Sequence, residues 1–265
     1  MRFALIGDGT IAKYHRKAIE HVGGELRDAN IIDPKYMKNS SLGDENLLYS
    51  QHGITYTDMS AFLTGSPPWF PRFDYVVICS PSDLHRQQIK AILEICPTTK
   101  IICEKPAFLP WEPIVDSDQI NICLQLQYAK ELPLKADKVV IQAVRDEAYF
   151  QSWKGDPKKT GGIFYNIFIH YIYMAHKLGA DFEGRIITEG VQERYIFVKD
   201  KPIIDIKEIN IQDCYNTMYE DIINGGGIKP RDLFYLDWIL KRNSEIFGYG
   251  KNGLNRTIKI GHELL

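Results

Sequence analysis

The stretch RFALIGDGTIAKYHRKAIEH, residues 2 to 21, constrains the fold more than any other. A short apolar run ends at Gly7, and helical spacing takes over from about Gly9 to His21. An apolar strand that turns through G-x-G-x-x-A into a helix is a form that cradles a pyrophosphate. Gly7 makes the tight turn, Gly9 lets the backbone approach the phosphates, and the small Ala12 lets helix and strand pack closely. Thr10 and Ile11 complete the turn, and the helix start offers amide donors and the positive end of its dipole. Asp33 ends a second run, ANIID, about 20 to 25 residues downstream, where a carboxylate can accept from the adenosine ribose hydroxyls. Its charge repels a 2'-phosphate, so the expected cofactor is NAD and not NADP. A chance glycine turn and a simple Asp33-Pro34 turn are the competing readings.

The alternation continues through DYVVICS (74 to 80), a helix from Asp83, KIICEK (100 to 105) and INICLQLQ (120 to 127). Short runs buried on both faces and separated by helices predict a doubly wound parallel sheet of Rossmann type. TGSPPWFPRF (64 to 73) interrupts the rhythm with three prolines and reads as a surface loop. After Tyr128 the texture changes. Strand-like DKVVIQAVRDEAYF (137 to 150) and closely spaced β-rich runs from Arg185 to Ile211 predict an α+β domain on an open, mainly antiparallel sheet, closed by helices at about 212 to 224 and 230 to 247. The expected fold is therefore α/β, with a dinucleotide-binding domain over residues 1–127 and a substrate and oligomerisation domain over 128–265.

Strand ends carry the next candidates. Ser80 and Pro81 follow one strand and would wall the nicotinamide ribose, with Ser82 or Asp83 capping the next helix and His85 in its first turn beside the cofactor or at the surface. Glu104-Lys105-Pro106 follows another. A lysine on a strand terminus can orient a hydroxyl and stabilise a developing alkoxide, or simply face solvent, and an X-Pro bond there can be cis.

GGIFYNIFIHYIYM, residues 161 to 174, is almost wholly apolar yet holds Asn166 and His170 four positions apart. On a helix Asn166, His170, Tyr173 and Lys177 form one polar stripe, expected to face a lined cavity such as a cleft between domains, with His170 as general base. A core histidine satisfied by its amide neighbour is the other reading. A metal pair lacks further ligands nearby, so no metal is expected.

Taken in order, G-x-G-x-x-A, Glu104-Lys105-Pro106 and Gly161-Gly162-x-x-x-Asn166-x-x-x-His170 resemble the motifs of the glucose-fructose oxidoreductase / inositol dehydrogenase / MocA family, over nearly the whole chain. The resemblance implies oxidation of a sugar or cyclitol hydroxyl by NAD, with Lys105 and His170 catalytic, Glu104 and Lys105 near the cofactor, and the open sheet forming a dimer or tetramer. Asn166 stands where many members carry Asp, and an amide cannot be an anion. The segment YFQSWKGDPKKTGGIFYNIFIHYIYM with CLQLQ at 123 to 127 is similar to the branch that oxidises UDP-N-acetylglucosaminuronate at C3 for O-antigen. That similarity implies that Gln125 and Asn166 position a nucleotide sugar, with Trp153, Lys154 and Tyr173 near it. Tyr173 replaces a frequent Asp, and the second domain is shorter than usual. A free-sugar or inositol dehydrogenase, and a non-catalytic NAD-binding regulator, remain the alternatives.

Composition fits a small-molecule partner. With 32 basic against 34 acidic residues the chain has no field for nucleic acid or an anionic membrane. The first residues offer no signal-like apolar run, and the five cysteines show no Cys-x-x-Cys spacing, so reduced thiols and a cytoplasmic location are expected.

Overall fold

β1 (Phe3–Ile6) is buried along its whole length, which requires cover on both faces and neighbours on both edges. The computed structural model, which describes residues 1–26, 31–32, 47–50, 53–56, 73–247 and 254–265, supplies them. β1 lies between β2 (Ile31–Ile32) and β5 (Tyr75–Ile78), and the order β2-β1-β5-β6-β7 continues through β6 (Lys100–Glu104) and β7 (Ile120–Cys123), every pair parallel. Such strands need crossovers, provided by α1 (Ala12–His21) and α2 (His85–Ile95) among others. β3 (Leu47–Ser50) and β4 (Gly53–Tyr56) form a separate antiparallel pair. Asp33 and residues 64–72 of the expected loop lie outside the described residues.

The chain divides into two units. One holds Met1–Phe108, Pro113–Cys123 and Tyr215–Pro230; the other holds Leu109–Glu112, Leu124–Cys214 and Arg231–Leu265. The expected boundary after residue 127 thus sits four residues earlier, and a late segment rejoins the first unit. Its side chains explain this: Tyr215, Met218 and Tyr219 are fully or nearly fully buried, and Tyr219 lies 6.1 Å ring to ring from Phe3 of β1.

In the second unit β8 (Lys138–Val144) alternates in burial, with Val139, Ile141 and Ala143 on the covered face. Around it run β9 (Asp181–Ile187), β10 (Glu193–Val198), β11 (Lys201–Asp205) and β12 (Thr257–Ile260), in the order β11-β10-β8-β9-β12. The ladders are antiparallel except β8 with β9. That parallel pair forces a long crossover, residues 145 to 180, and it carries most of the substrate-side candidates. It contains α3 (Glu147–Gln151), α4 (Pro157–Thr160), a π-helical turn (Phe164–Phe168) and α5 (Ile169–Leu178). The closing helices are α6 (Ile211–Ile223), whose last nine residues belong to the first unit, and α7 (Phe234–Phe247). They do not end the fold as expected, because β12 follows and pairs with β9. Among the described residues no helix is long and apolar enough to cross a membrane.

Candidate active site

In the first unit the strand order reverses between β1 and β5, the place where parallel sheets hold ligands beyond their carboxyl ends. Gly7 sits there at φ +88°, and a Cβ on it would fall 2.7 Å from the Ser80 amide nitrogen and 2.8 Å from the Cys79 carbonyl. Only glycine permits that approach. Gly9 is exposed, and a Cβ on it would meet nothing within 4 Å. Ala12 is fully buried, Thr10 exposed and Ile11 half-buried, and no side chain caps the start of α1. A bare backbone curve ahead of an uncapped helix is what a diphosphate requires, so these residues fit NAD. Asp8 lies within the curve, where its charge would oppose a phosphate. Arg16, one turn into α1, answers it with Nη2 at 2.8 Å and Nε at 3.1 Å from the same carboxylate oxygen.

Ser80 and Pro81 follow β5 as expected, with the Ser80 hydroxyl donating to Gln88 Oε1 at 2.6 Å. Neither Ser82 nor Asp83 caps α2; Ser82–Leu84 instead forms a 3-10 turn leading into it. His85, expected beside the cofactor or at the surface, is buried. Its Nδ1 and Nε2 lie 2.8 Å from the Pro106 and Ser80 carbonyls, so the ring ties two strand ends together. Burial lowers its pKa, and the two carbonyls oppose that in part. Glu104 is likewise turned inward. Its Oε1 accepts from the Tyr215 hydroxyl at 2.5 Å and lies 3.1 Å from His15 Nε2, while His15 Nδ1 lies 2.8 Å from the Tyr219 hydroxyl. Burial alone would raise its pKa, but the bond to and charge of His15, the Tyr215 hydroxyl and the Lys105 charge pull it down to about 2. Lys105 follows half-buried, through a cis bond to Pro106. His15, Glu104 and Cys123 bring ligand atoms within 4.8 Å of one another, yet the His15 nitrogens have hydrogen-bond partners and burial pushes the Cys123 thiol well up. The group is a hydrogen-bonded knot that fixes α1 and α6 to the strand end before Lys105.

In the second unit Asn166 falls inside the π-helical turn and His170 in the first turn of α5. Single π-turns cluster at functional sites. Asn166 Nδ2 donates to the Tyr149 hydroxyl at 2.6 Å and to the Lys154 carbonyl at 3.1 Å, tying the segment 149–154 to the turn. That segment is a chain of local caps: Asp146 accepts from the Tyr149 amide, Ser152 from Lys154 and Asp156 from Lys158. It presents Trp153, 43 % exposed, and the exposed Lys154. His170 is buried at 7 % exposure, and its carbonyl accepts from Gln127 Nε2 at 3.0 Å. Gln125, in the 3-10 turn with Gln127, buries an Oε1 that has no hydrogen-bond partner among the described residues. Tyr173 is buried, and desolvation with the Asp232 charge pushes its pKa up to about 12. The expected four-residue stripe does not extend to Lys177, which is exposed in the last turn of α5 beside His176 before the left-handed Gly179. Sequence reasoning passed over Asp8, Arg16, His15, Tyr215 and Tyr219. It also missed Arg145 and Arg194, whose guanidiniums lie over the Tyr149 and Tyr171 rings.

Comparison with known proteins agrees with this fold. Residues 1–121 match a family described as an oxidoreductase family with an NAD-binding Rossmann fold, and residues 137–183 match its C-terminal alpha/beta domain. Among solved structures, the chain resembles the WlbA (WbpB) dehydrogenase of Thermus thermophilus in complex with NAD and UDP-GlcNAcA, at 23% identity and TM-score 0.69, over 91% of this chain and 94% of that one. It also resembles the Bordetella pertussis WlbA dehydrogenase in complex with NADH and UDP-GlcNAcA (16%, 0.62, 98% and 97%). A myo-inositol dehydrogenase of Corynebacterium glutamicum follows (15%, 0.61, 98% and 99%).

Proposed function

The chain belongs to the Gfo/Idh/MocA oxidoreductase family, with its NAD-binding Rossmann domain and C-terminal alpha/beta domain, and from that premise we propose that it oxidises the C3 hydroxyl of a nucleotide-linked amino sugar acid of the UDP-N-acetylglucosaminuronate kind. NAD, when bound, takes the hydride. Lys105 orients the hydroxyl and stabilises the charge that develops on its oxygen, and His170 accepts its proton. Gln125 offers a buried carbonyl oxygen to a substrate hydroxyl, Trp153 packs on a sugar face, and Lys154 pairs with an anionic group. Asn166 cannot serve as the base, which leaves the proton to His170. Gly7, Gly9, Thr10, Ile11, Ala12, Asp33, Ser80 and Pro81 hold the dinucleotide, and the side chains of His85 and Glu104 brace that site from behind.

The observation that carries the reading is the Asn166 amide, which holds the segment with Trp153 and Lys154 to the π-helical turn directly before the one that carries His170. Supporting it are the two structures solved with UDP-GlcNAcA. The setting would be cytoplasmic synthesis of cell-surface polysaccharide, and the half-exposed Tyr195 and Phe197 with the exposed Ile203 suit a homo-oligomer joined through the outer face of the second sheet. The test follows the absorbance of reduced nicotinamide with UDP-N-acetylglucosaminuronate, with and without 2-oxoglutarate to reoxidise the cofactor in place. Reduction is expected with the acid. Signal only on free inositol or glucose would move the site to unactivated polyols, and NAD binding without turnover on any of them would make the chain a cofactor-holding regulator.

A further inference from the structure

Two arginines of the second unit are placed where a protein seldom leaves charge uncompensated. Arg145 directly follows β8, and its amide extends the ladder by donating to the Ile187 carbonyl at 2.9 Å. By the period of two it lies on the covered face with Val139, Ile141 and Ala143. Arg194, on β10, pairs with Ile141 of β8 and shares its face with the fully buried Ile196. Both residues are half-buried.

Their partners are aromatic. The Arg145 guanidinium sits 5.3 Å from the Tyr149 ring centre and that of Arg194 sits 5.8 Å from the Tyr171 ring centre. Arg145 also donates from Nη1 to the Val144 carbonyl at 2.7 Å, and its charge and hydrogen bonding act on the Tyr149 hydroxyl as well as its ring. Arg194 Nε is buried with no hydrogen-bond partner among the described residues. Neither guanidinium meets a carboxylate within 4.0 Å there, whereas Arg16 and Lys241 each do. Both positive charges act on the Tyr171 hydroxyl, against the desolvation that raises its pKa. Tyr171 is next to His170, and Tyr149 is the residue that Asn166 holds. The pair therefore flanks the elements that present the candidate catalytic histidine.

A place over a tyrosine ring restrains each planar fork and lowers its cost of ordering, but a ring face does not satisfy the N–H donors of a guanidinium. An oxyanion does, through two parallel bonds. We propose that Arg145 and Arg194 form an anion-recognition pair in the second unit, which takes the oxyanion of the substrate, either its carboxylate or its phosphate oxygens. This rests on the reading of the chain as an enzyme for an anionic sugar and names the side chains that would make it selective.

The test is calorimetric titration of the NAD-loaded full chain with four probes: UDP, UDP-N-acetylglucosamine, UDP-N-acetylglucosaminuronate and glucuronate. Arg145→Gln and Arg194→Gln should each weaken binding by about tenfold or more, and Arg→Lys at the same positions should recover only part, because charge returns without the fork. NAD affinity and the unfolding temperature should hold in all four variants. A loss confined to the two probes with a carboxylate assigns the pair to that group; an equal loss across the three nucleotides assigns it to the diphosphate. Unchanged affinities in both Gln variants, no binding of any probe by the parent protein, or losses that track unfolding would overturn the pair. Arginine-dependent binding without NAD reduction would sink the proposed reaction and leave this inference standing, while normal turnover with arginine-independent binding would do the reverse.

Discussion

The two units treat enclosed and half-buried charge in opposite ways. In the first, Glu104 is almost fully enclosed and meets His15 and Tyr215, and His15 in turn meets Tyr219. In the second, Arg145 and Arg194 meet aromatic rings, the Tyr149 hydroxyl and one backbone carbonyl but no carboxylate among the described residues. A closed network holds structure, since each member is satisfied from within. Charges that the fold leaves for something else to satisfy point to recognition. On the proposed reading, the difference separates the part that braces the helix after the glycine turn from the part that would read the substrate.

The contrast breaks most easily at Glu104. Glu104→Ala leaves His15 and Tyr215 buried without their shared acceptor, and should cost about 3–5 kcal/mol in urea unfolding. Acid probes the same knot without mutation. The folded pKa of Glu104 lies near 2, below the value of 4.5 expected for an unperturbed carboxyl. Its contribution is therefore whole above about pH 4.5 and is lost as the pH falls toward 2, and the acid transition should shrink in Glu104→Gln. Next comes Gly7→Ala, which sets a Cβ against the Ser80 and Cys79 backbone at a positive φ and should lower stability by about 1–3 kcal/mol in thermal unfolding.

Smaller effects sharpen the other side. Asn166→Asp removes the donor to the Tyr149 hydroxyl and the Lys154 carbonyl and sets a carboxylate beside that carbonyl. It should release residues 149–154 to faster hydrogen exchange and raise KM more than it lowers kcat, with a cost of about 1–3 kcal/mol. Arg16→Ala removes the guanidinium that pairs with Asp8 in the glycine curve and should weaken NAD binding about threefold to tenfold, less in high salt because Arg16 is partly exposed. Stability should barely move in Arg194→Gln, by less than about 1 kcal/mol, since among the described residues the contact given up is the one over the Tyr171 ring. A large loss there would make Arg194 a second Glu104 and erase the contrast.

Local chemistry was legible where neighbours in sequence decide it. The strand, glycine turn and helix at the start, the strand ends at Ser80 and Lys105, and the common element of Asn166 and His170 all follow from spacing within a few residues. What depends on distant partners was not. Tyr219 and His15 are 204 residues apart, and nothing near either announces the other. Arg145 and Arg194 look like ordinary basic residues until the sheet puts both on its covered face. The π-turn is hidden because a run that is apolar all round gives no periodicity to break. β12 shows an alternating TIKI, but four residues are too short to distinguish from loop without their partner β9. Glu104 lies at the expected strand end and His85 in the expected helical turn, but both side chains turn inward, since sequence gives an element and not the way a side chain turns.

The most direct measurement is a single-turnover comparison of the parent protein and His170→Ala, each loaded with NAD and mixed with saturating UDP-N-acetylglucosaminuronate. The account predicts reduced nicotinamide in the parent and a rate lower by about 10²–10⁴ in the variant, with NAD affinity intact. Equal rates in the two proteins, or no reduction by the parent, would contradict it.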